Sequence, residues 1–300
     1  MIEWKDIKIE DKKLIDEFIC ASGCHGADYS FANLYMWRKA YEPKIHFAGD
    51  RLLVYMPQWS VYAYPKGGGD VRPSMDLLFE DAHSKGQKLF LRGLTERTLS
   101  EFMPLYGDRF EISEDRDNAD YIYTTDKLCN LQGRKLASKR NHIHKFERNG
   151  EWELRPVKSN AAETSEATLE EAKTFVQEFY LEKHDPELAE EAIAINEMFA
   201  NYDELGFRAA LLYQKGEPVA FSAGTKLDDK VFDVHFEKAL PGVDGAYTMI
   251  NREFTRMIAA EFPGIEAFNR EEDMGLEGLR KAKESYHPDV LLMKYYAKEK

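Results

Sequence analysis

Cysteine is scarce: Cys20, Cys24 and Cys129 are the only three in 300 residues. So small and odd a number excludes a disulfide framework and fits a reducing compartment. Cys20, Cys24 and His25 lie close together, but no second ligand pair follows at a familiar spacing. They are expected as buried free thiols, and no metal centre is expected. No apolar run reaches the roughly eighteen residues that a membrane-spanning helix requires. The N-terminal segment is charged throughout and lacks an apolar h-region, which argues against a secretory signal and leaves the cytoplasm as the expected location. The net charge of −13 excludes bulk attraction to nucleic acid or to an anionic bilayer.

What is present suits two cores of about 150 residues each. The expected division is 1–150 and 151–300, and the polar stretch 158–168 is the best linker in the chain. The first half reads as a short helix from Asp11 to Cys20, then an aromatic helix with Phe31, Leu34, Tyr35 and Arg38 on one side. Strands over 44–48 and 51–56, joined at Gly49-Asp50, precede a third that runs into Gly67, Gly68 and Gly69. That triple glycine fits either a phosphate cradle or a flexible loop. A helix over 74–85, a strand over 88–94, a helix over 96–108 and a strand, polar turn and strand over 110–123 come next. The second half reads as a helix over 169–183, a break at His184-Asp185-Pro186, a helix to Tyr202 and an antiparallel meander turning at Lys215-Gly216.

From Val231 to Pro288 the pattern is strand, glycine turn, helix, strand and helix, a βαβ unit. The triple glycine and its flanking elements repeat that outline, so the same unit is expected twice. Alternation along the strand 231–239 places Val231, Asp233, His235 and Glu237 on one face, and Phe232, Val234 and Phe236 on the other. His235 then sits between two carboxylates, each roughly 7 Å away, which favours its protonated form and suits proton transfer or anion binding. A half-exposed strand with a polar outer face is the plain alternative. Gly242 and Gly245 bracket Val243 and Asp244, permitting positive φ and close approach of backbone N–H groups to a ligand. Ile250, Phe254, Met257 and Ile258 form the buried stripe of the next helix, whose dipole points at whatever the turn binds.

One segment departs from the acidic background. Between Arg134 and Arg148 six Lys or Arg stand against Glu147 alone, and removing that net +5 from −13 leaves −18 for the rest. As a helix it places Leu136 and Ile143 on one side and Arg134, Asn141, Lys145 and Arg148 on the other. Either a solvated basic face or a site for phosphate or RNA satisfies this pattern.

The order of elements in the second half is that of N-acetyltransferases (GNAT). The runs HFEKA, GAYTMINREF and FNREEDMGLEGLRKAKESYHPD resemble the C-terminal domain of phosphatidylglycerol lysyltransferases and their soluble relatives, most densely from Phe207 to Tyr296. The resemblance implies an α+β fold of two tandem GNAT-like domains, each a mixed, mostly antiparallel sheet flanked by helices, as in Fem-type aminoacyl-tRNA-dependent peptidyltransferases. It implies donor binding through the turn Pro241–Tyr247, hence Gly242, Val243, Gly245, Ala246 and Tyr247, with Asn269 beside it. Tyr286 resembles the acetyltransferase tyrosine that acts as general acid to the leaving group; packing beside Pro288 is its plain alternative. The acetyltransferase spacing Arg/Gln-x-x-Gly-x-Gly/Ala is missing, with Asp244 where a glycine would stand. The donor therefore stays open between an acyl-CoA and an aminoacyl-tRNA, with no tightly bound cofactor. By the same resemblance Arg134, Lys139, Arg140, Lys145 and Arg148 face a tRNA acceptor end or an anionic acceptor, and Arg280 and Lys283 add a second cationic edge near Tyr286.

Together these readings predict a transferase that moves an acyl or aminoacyl group onto an amine or hydroxyl of a small-molecule or peptide acceptor. His235 or Glu237 would take the acceptor's proton and Tyr286 would protonate the leaving group. The alternative is a GNAT-fold binding or scaffold protein that has lost its donor site; general RNA binding through the basic helix is a third, disfavoured by the acidic remainder.

Overall fold

Two strand–helix–strand units with parallel strands organise the chain, one in each half. The computed structural model describes residues 2–183 and 188–300, so the break expected at His184-Asp185-Pro186 lies outside the described residues. The chain divides into two compact units, 1–120 with 272–276 and 291–300, and 121–271 with 277–290. These units part at 120 and not at the expected 150. The basic helix Ala137–Arg148 belongs to the second unit because it packs there: Gln214 Nε2 donates to the Phe146 carbonyl at 2.9 Å and Arg252 pairs with Glu147 at 3.1 Å.

In the first unit the strands lie in the order Lys5–Asp6, Lys44–Ala48, Arg51–Met56, Val61–Ala63, Phe90–Leu94, then the C-terminal strand Val290–Glu299. Val61–Ala63 and Phe90–Leu94 pair in parallel across the helix Arg72–Ser84, and Tyr62, Leu78, Phe79, Leu91, Phe102 and Phe110 fill the core beneath them. The triple glycine is tightly packed at its first residue and not a loose loop there. A side chain at Gly67 would fall 2.0 Å from the Asp50 carbonyl oxygen. The buried Arg51 fixes the segment by donating to the carbonyls of Pro65 at 3.1 Å and Gly69 at 2.5 Å. The polar turn expected within 110–123 is instead part of one strand, Phe110–Thr124, whose charged residues find partners: Arg116 pairs with Asp273 at 2.9 Å and Asn118 donates to Asp115 at 2.7 Å. Of the thiols expected to be buried, Cys20 is exposed and Cys24 and Cys129 are half-buried.

In the second unit the end of that strand is followed across the sheet by Ala267–Asn269, Val231–Ala239, Glu217–Lys226, Arg208–Gln214, Trp152–Lys158 and Ala167–Thr168. Val231–Ala239 and Ala267–Asn269 are parallel, and the helix Ala246–Glu261 connects them. Among the described residues no helix is long and apolar enough to cross a membrane.

The ladder between Glu217–Lys226 and Val231–Ala239 slips by one residue. Ala223 pairs with Phe236, but Gly224 pairs with Val234, which leaves His235 as the bulged residue. A bulge shifts the pleat by one position, so side chains on its two sides no longer alternate in one phase. Glu237, opposite Ser222, shares a face with Val234 and Phe232, the face covered by the helix through Phe232 and Phe254 at 5.9 Å. Asp233, opposite Thr225, turns to the other face with His235. The expected common face of His235 and Glu237 is therefore corrected. Gly224 makes room for the bulge, since a Cβ there would lie 2.0 Å from the Asp233 carbonyl oxygen. Gly224→Ala is expected to destabilise the protein by about 1–3 kcal/mol, read as a lower urea midpoint at unchanged m-value.

Candidate functional site

The helix-covered face of the strand Val231–Ala239 gathers a polar cluster around Glu237. One carboxylate oxygen accepts from Arg270 Nη2 at 2.8 Å and the other from Asn251 Nδ2 at 2.9 Å, so both oxygens are held. Arg270 comes from the residue just past the strand Ala267–Asn269. Asn251 comes from a row on the helix, Thr248, Asn251 and Thr255, which is buried although polar. The Arg270 guanidinium lies 4.9 Å from the centre of the Tyr286 ring, and Lys139 Nζ, from the basic helix, stands 3.9 Å from the same centre. Two cations thus lie against one aromatic ring, a favourable contact for each and a mutual repulsion between them.

That repulsion, added to burial, acts on Lys139. Burial disfavours its ammonium, Arg270 repels it, Glu237 opposes both, and the pKa falls to about 8. Tyr286 moves the other way: burial and Glu237 outweigh Arg270 and a hydrogen bond with Thr248, pushing the phenol up to about 12. At neutral pH the site therefore holds a protonated phenol beside an amine with an appreciable neutral fraction. Arg270 Nη1 and Asn251 Oδ1 are buried and make no hydrogen bond among the described residues. They offer one open donor and one open acceptor at the cluster.

Glu237, Tyr286 and Lys139 are brought together here, with Glu237 holding Arg270. His235 is not among them. It is 9% exposed on the opposite face, with Nδ1 2.9 Å from Glu271 Oε1 and 3.6 Å from Asp233 Oδ2, and Nε2 2.9 Å from Thr225 Oγ1. Arg140 donates to the carbonyls of Leu131 and Gly133, and Lys145 pairs with Asp244. Lys283, expected on a cationic edge, is buried and donates to the Arg270 carbonyl at 2.5 Å, where its long stem supports the site from behind. Arg280 is half-buried, while Arg134 and Arg148 are exposed.

The glycine turn is shaped by packing. Gly242 and Gly245 both have positive φ, at 84° and 85°. A Cβ at Gly245 would meet the His142 carbonyl oxygen at 2.3 Å, so this glycine lets the basic helix approach. Ala246 is buried and its N–H donates to the Val243 carbonyl, whereas Tyr247 is exposed. Asn269 is buried, and its side-chain oxygen accepts from the Glu271 N–H at 2.7 Å. It thereby shapes the bend from which Arg270 and Glu271 reach opposite faces of the strand.

Sequence reasoning missed Arg270, Asn251, Thr225 and Glu271. The row Thr248, Asn251 and Thr255 carried a signal: polar residues at i, i+3 and i+7 beside an apolar stripe belong on the buried side of the helix. Arg270 and Glu271 sit just beyond a parallel strand's C-terminal end, where open α/β sheets commonly build sites.

The family model described as phosphatidylglycerol lysyltransferase, C-terminal, matches residues 22–298. A conserved protein of unknown function from Bacteroides thetaiotaomicron is similar at 33% identity and a TM-score of 0.90, over 100% of both chains. The C-terminal domain of a lysylphosphatidylglycerol synthetase, so described provisionally, from Agrobacterium fabrum superposes with a TM-score of 0.69 at 15% identity, covering 97% of this chain and 92% of that one. L-PGS from Bacillus licheniformis does so with 0.65 at 17%, covering 98% and 93%. The last two speak for the fold, which is α+β with two tandem GNAT-like domains. No curated protein matches the sequence.

Proposed function

Since the chain belongs to the family of phosphatidylglycerol lysyltransferase C-terminal domains, we propose that it transfers an aminoacyl or acyl group to an amine or hydroxyl acceptor at the cluster of Lys139, Glu237, Asn251, Arg270 and Tyr286. The observation that carries this reading is the Lys139 amine, 3.9 Å from the centre of the Tyr286 ring and lowered to about 8. Neutral Lys139 takes the proton of the attacking amine or hydroxyl as the new bond to the acyl carbon forms. Arg270 Nη1 donates to the carbonyl oxygen as it gains negative charge. Glu237 keeps the guanidinium in place, and Tyr286 gives its proton to the leaving oxygen or sulfur as the old acyl bond breaks.

An aminoacyl-tRNA is the donor we favour over an acyl-CoA. Gly245 is occupied by the basic helix and Asp244 by Lys145, which leaves little of the turn for a pyrophosphate. Exposed Arg134 and Arg148 suit a nucleic-acid backbone.

The test incubates the purified protein with radiolabelled aminoacyl-tRNA, or separately an acyl-CoA, and a panel of amine and hydroxyl acceptors. Acceptor-dependent loss of label from tRNA supports the reading; no acceptor-dependent loss of acyl group from either donor rejects it. Tyr286→Phe keeps the ring beneath Lys139 and is expected to lower kcat about 100-fold with little change in KM.

A further inference from the structure

We propose that Asp233, His235 and Glu271 form a binding site for a divalent cation of zinc's class, on the face of the sheet opposite the Lys139–Tyr286 cluster. The three donor atoms lie within 4.8 Å of one another, and two of the three residues are fully or almost fully buried. His235 Nδ1 is 2.9 Å from Glu271 Oε1 and 3.6 Å from Asp233 Oδ2. Ligands placed about 2.0–2.2 Å from a tetrahedral zinc ion stand about 3.3–3.6 Å from each other. The separation from Asp233 matches that value and the one from Glu271 is shorter, so loading requires the imidazole and Glu271 to part slightly.

Nδ1 carries at most one hydrogen, which reaches Glu271 at 2.9 Å but not Asp233 at 3.6 Å. A dication in the middle contacts both carboxylates and the imidazole. The other ring nitrogen supports the same assignment. Nε2 lies 2.9 Å from Thr225 Oγ1, a partner outside the three ligands that fixes the ring with Nδ1 turned inward. The Phe207 ring, 5.3 Å from the imidazole, supplies the apolar wall that shields such a site from water.

The bulge is what assembles this site. In an unbroken strand Asp233, His235 and Glu237 share a face; with His235 bulged, Glu237 leaves and Glu271 enters. One imidazole with two carboxylates suits zinc and, among harder ions, manganese. Loading also fixes Glu271, the neighbour of Arg270, so the cation steadies the segment from which the guanidinium reaches the other face.

Chelator-treated full-length protein is titrated calorimetrically with zinc and, separately, with manganese. Binding of about one equivalent of either, with a melting temperature that climbs with metal concentration, is the expected result. Glu271→Gln and His235→Gln abolish it, and Thr225→Val, which keeps all three ligands, weakens it about 10–100-fold. Circular dichroism and urea unfolding of the metal-free variants establish that each is folded. Absence of binding by the wild type overturns the proposal. So does equal binding by wild type and folded Glu271→Gln, which places the ion elsewhere.

Discussion

Lys139→Gln lowers turnover by about 10²–10⁴-fold, the range for loss of a general base, with a smaller effect on KM. The reason lies in the environment of the amine. Among the described residues no carboxylate pairs with Lys139; burial and the Arg270 guanidinium outweigh the opposing charge of Glu237, and its pKa falls to about 8. The reactive form is the neutral amine, so wild-type kcat rises with pH through about 8 and levels off above it. The glutamine variant loses that rise. Lys139→Arg decides between proton transfer and simple electrostatics: arginine keeps a cation over Tyr286 but stays protonated at any working pH. Near-complete loss in the arginine variant supports the base role, and full retention refutes it.

The sequence makes Tyr286, Glu237 and Lys139 visible for different reasons, and only the structure joins them. Tyr286 stands out by resemblance, Glu237 by strand alternation and Lys139 as one charge in a basic run. Their convergence depends on contacts distant in sequence, above all the seating of the basic helix against the turn at Gly245. The same seating explains why the compact units do not part at 150: Ile143 and Phe146, both buried, fasten the basic helix to the second unit. The parallel pairings at Val61–Ala63 with Phe90–Leu94 and at Val231–Ala239 with Ala267–Asn269 are legible because glycine turns and helical periodicity are local signals. The bulge at His235 is not. Alternation is read on the assumption of a regular ladder, and the hint against it, Gly224 in the neighbouring strand, is meaningful only once the two strands are in register.

In the first unit, Lys294→Met is expected to destabilise the fold by about 3–5 kcal/mol, the cost of stripping the partner from buried charges. Lys294 is 2% exposed at its side chain, with Nζ 2.6 Å from Asp120 Oδ1 and 2.8 Å from Asp28 Oδ2. Asp120 also accepts from the Ala27 N–H at 2.9 Å, which ties the carboxylate to the fold after the cation is gone. Burial alone would lower the Lys294 pKa, but Asp120, Asp28 and Glu272 overcome it and hold the pKa well above the ordinary lysine value. Burial likewise raises Asp28, yet Lys294 and Arg92 bring it below the ordinary carboxylate value. A raised lysine contributes stability below its unfolded pKa of about 10.4, lost only as pH climbs through the higher folded value. A depressed aspartate contributes above its unfolded pKa of about 3.9, lost as pH falls through the lower folded value. Between those limits the cluster is fully charged in the wild type. In the methionine variant the carboxylates lose their counter-ion, their pKa values rise, and protonation relieves them as the solution is acidified. The gap between wild type and Lys294→Met, measured by urea unfolding, therefore narrows from pH 8 towards pH 4. A gap that is constant across that range assigns the loss to packing of the methylene stem and refutes the charge account.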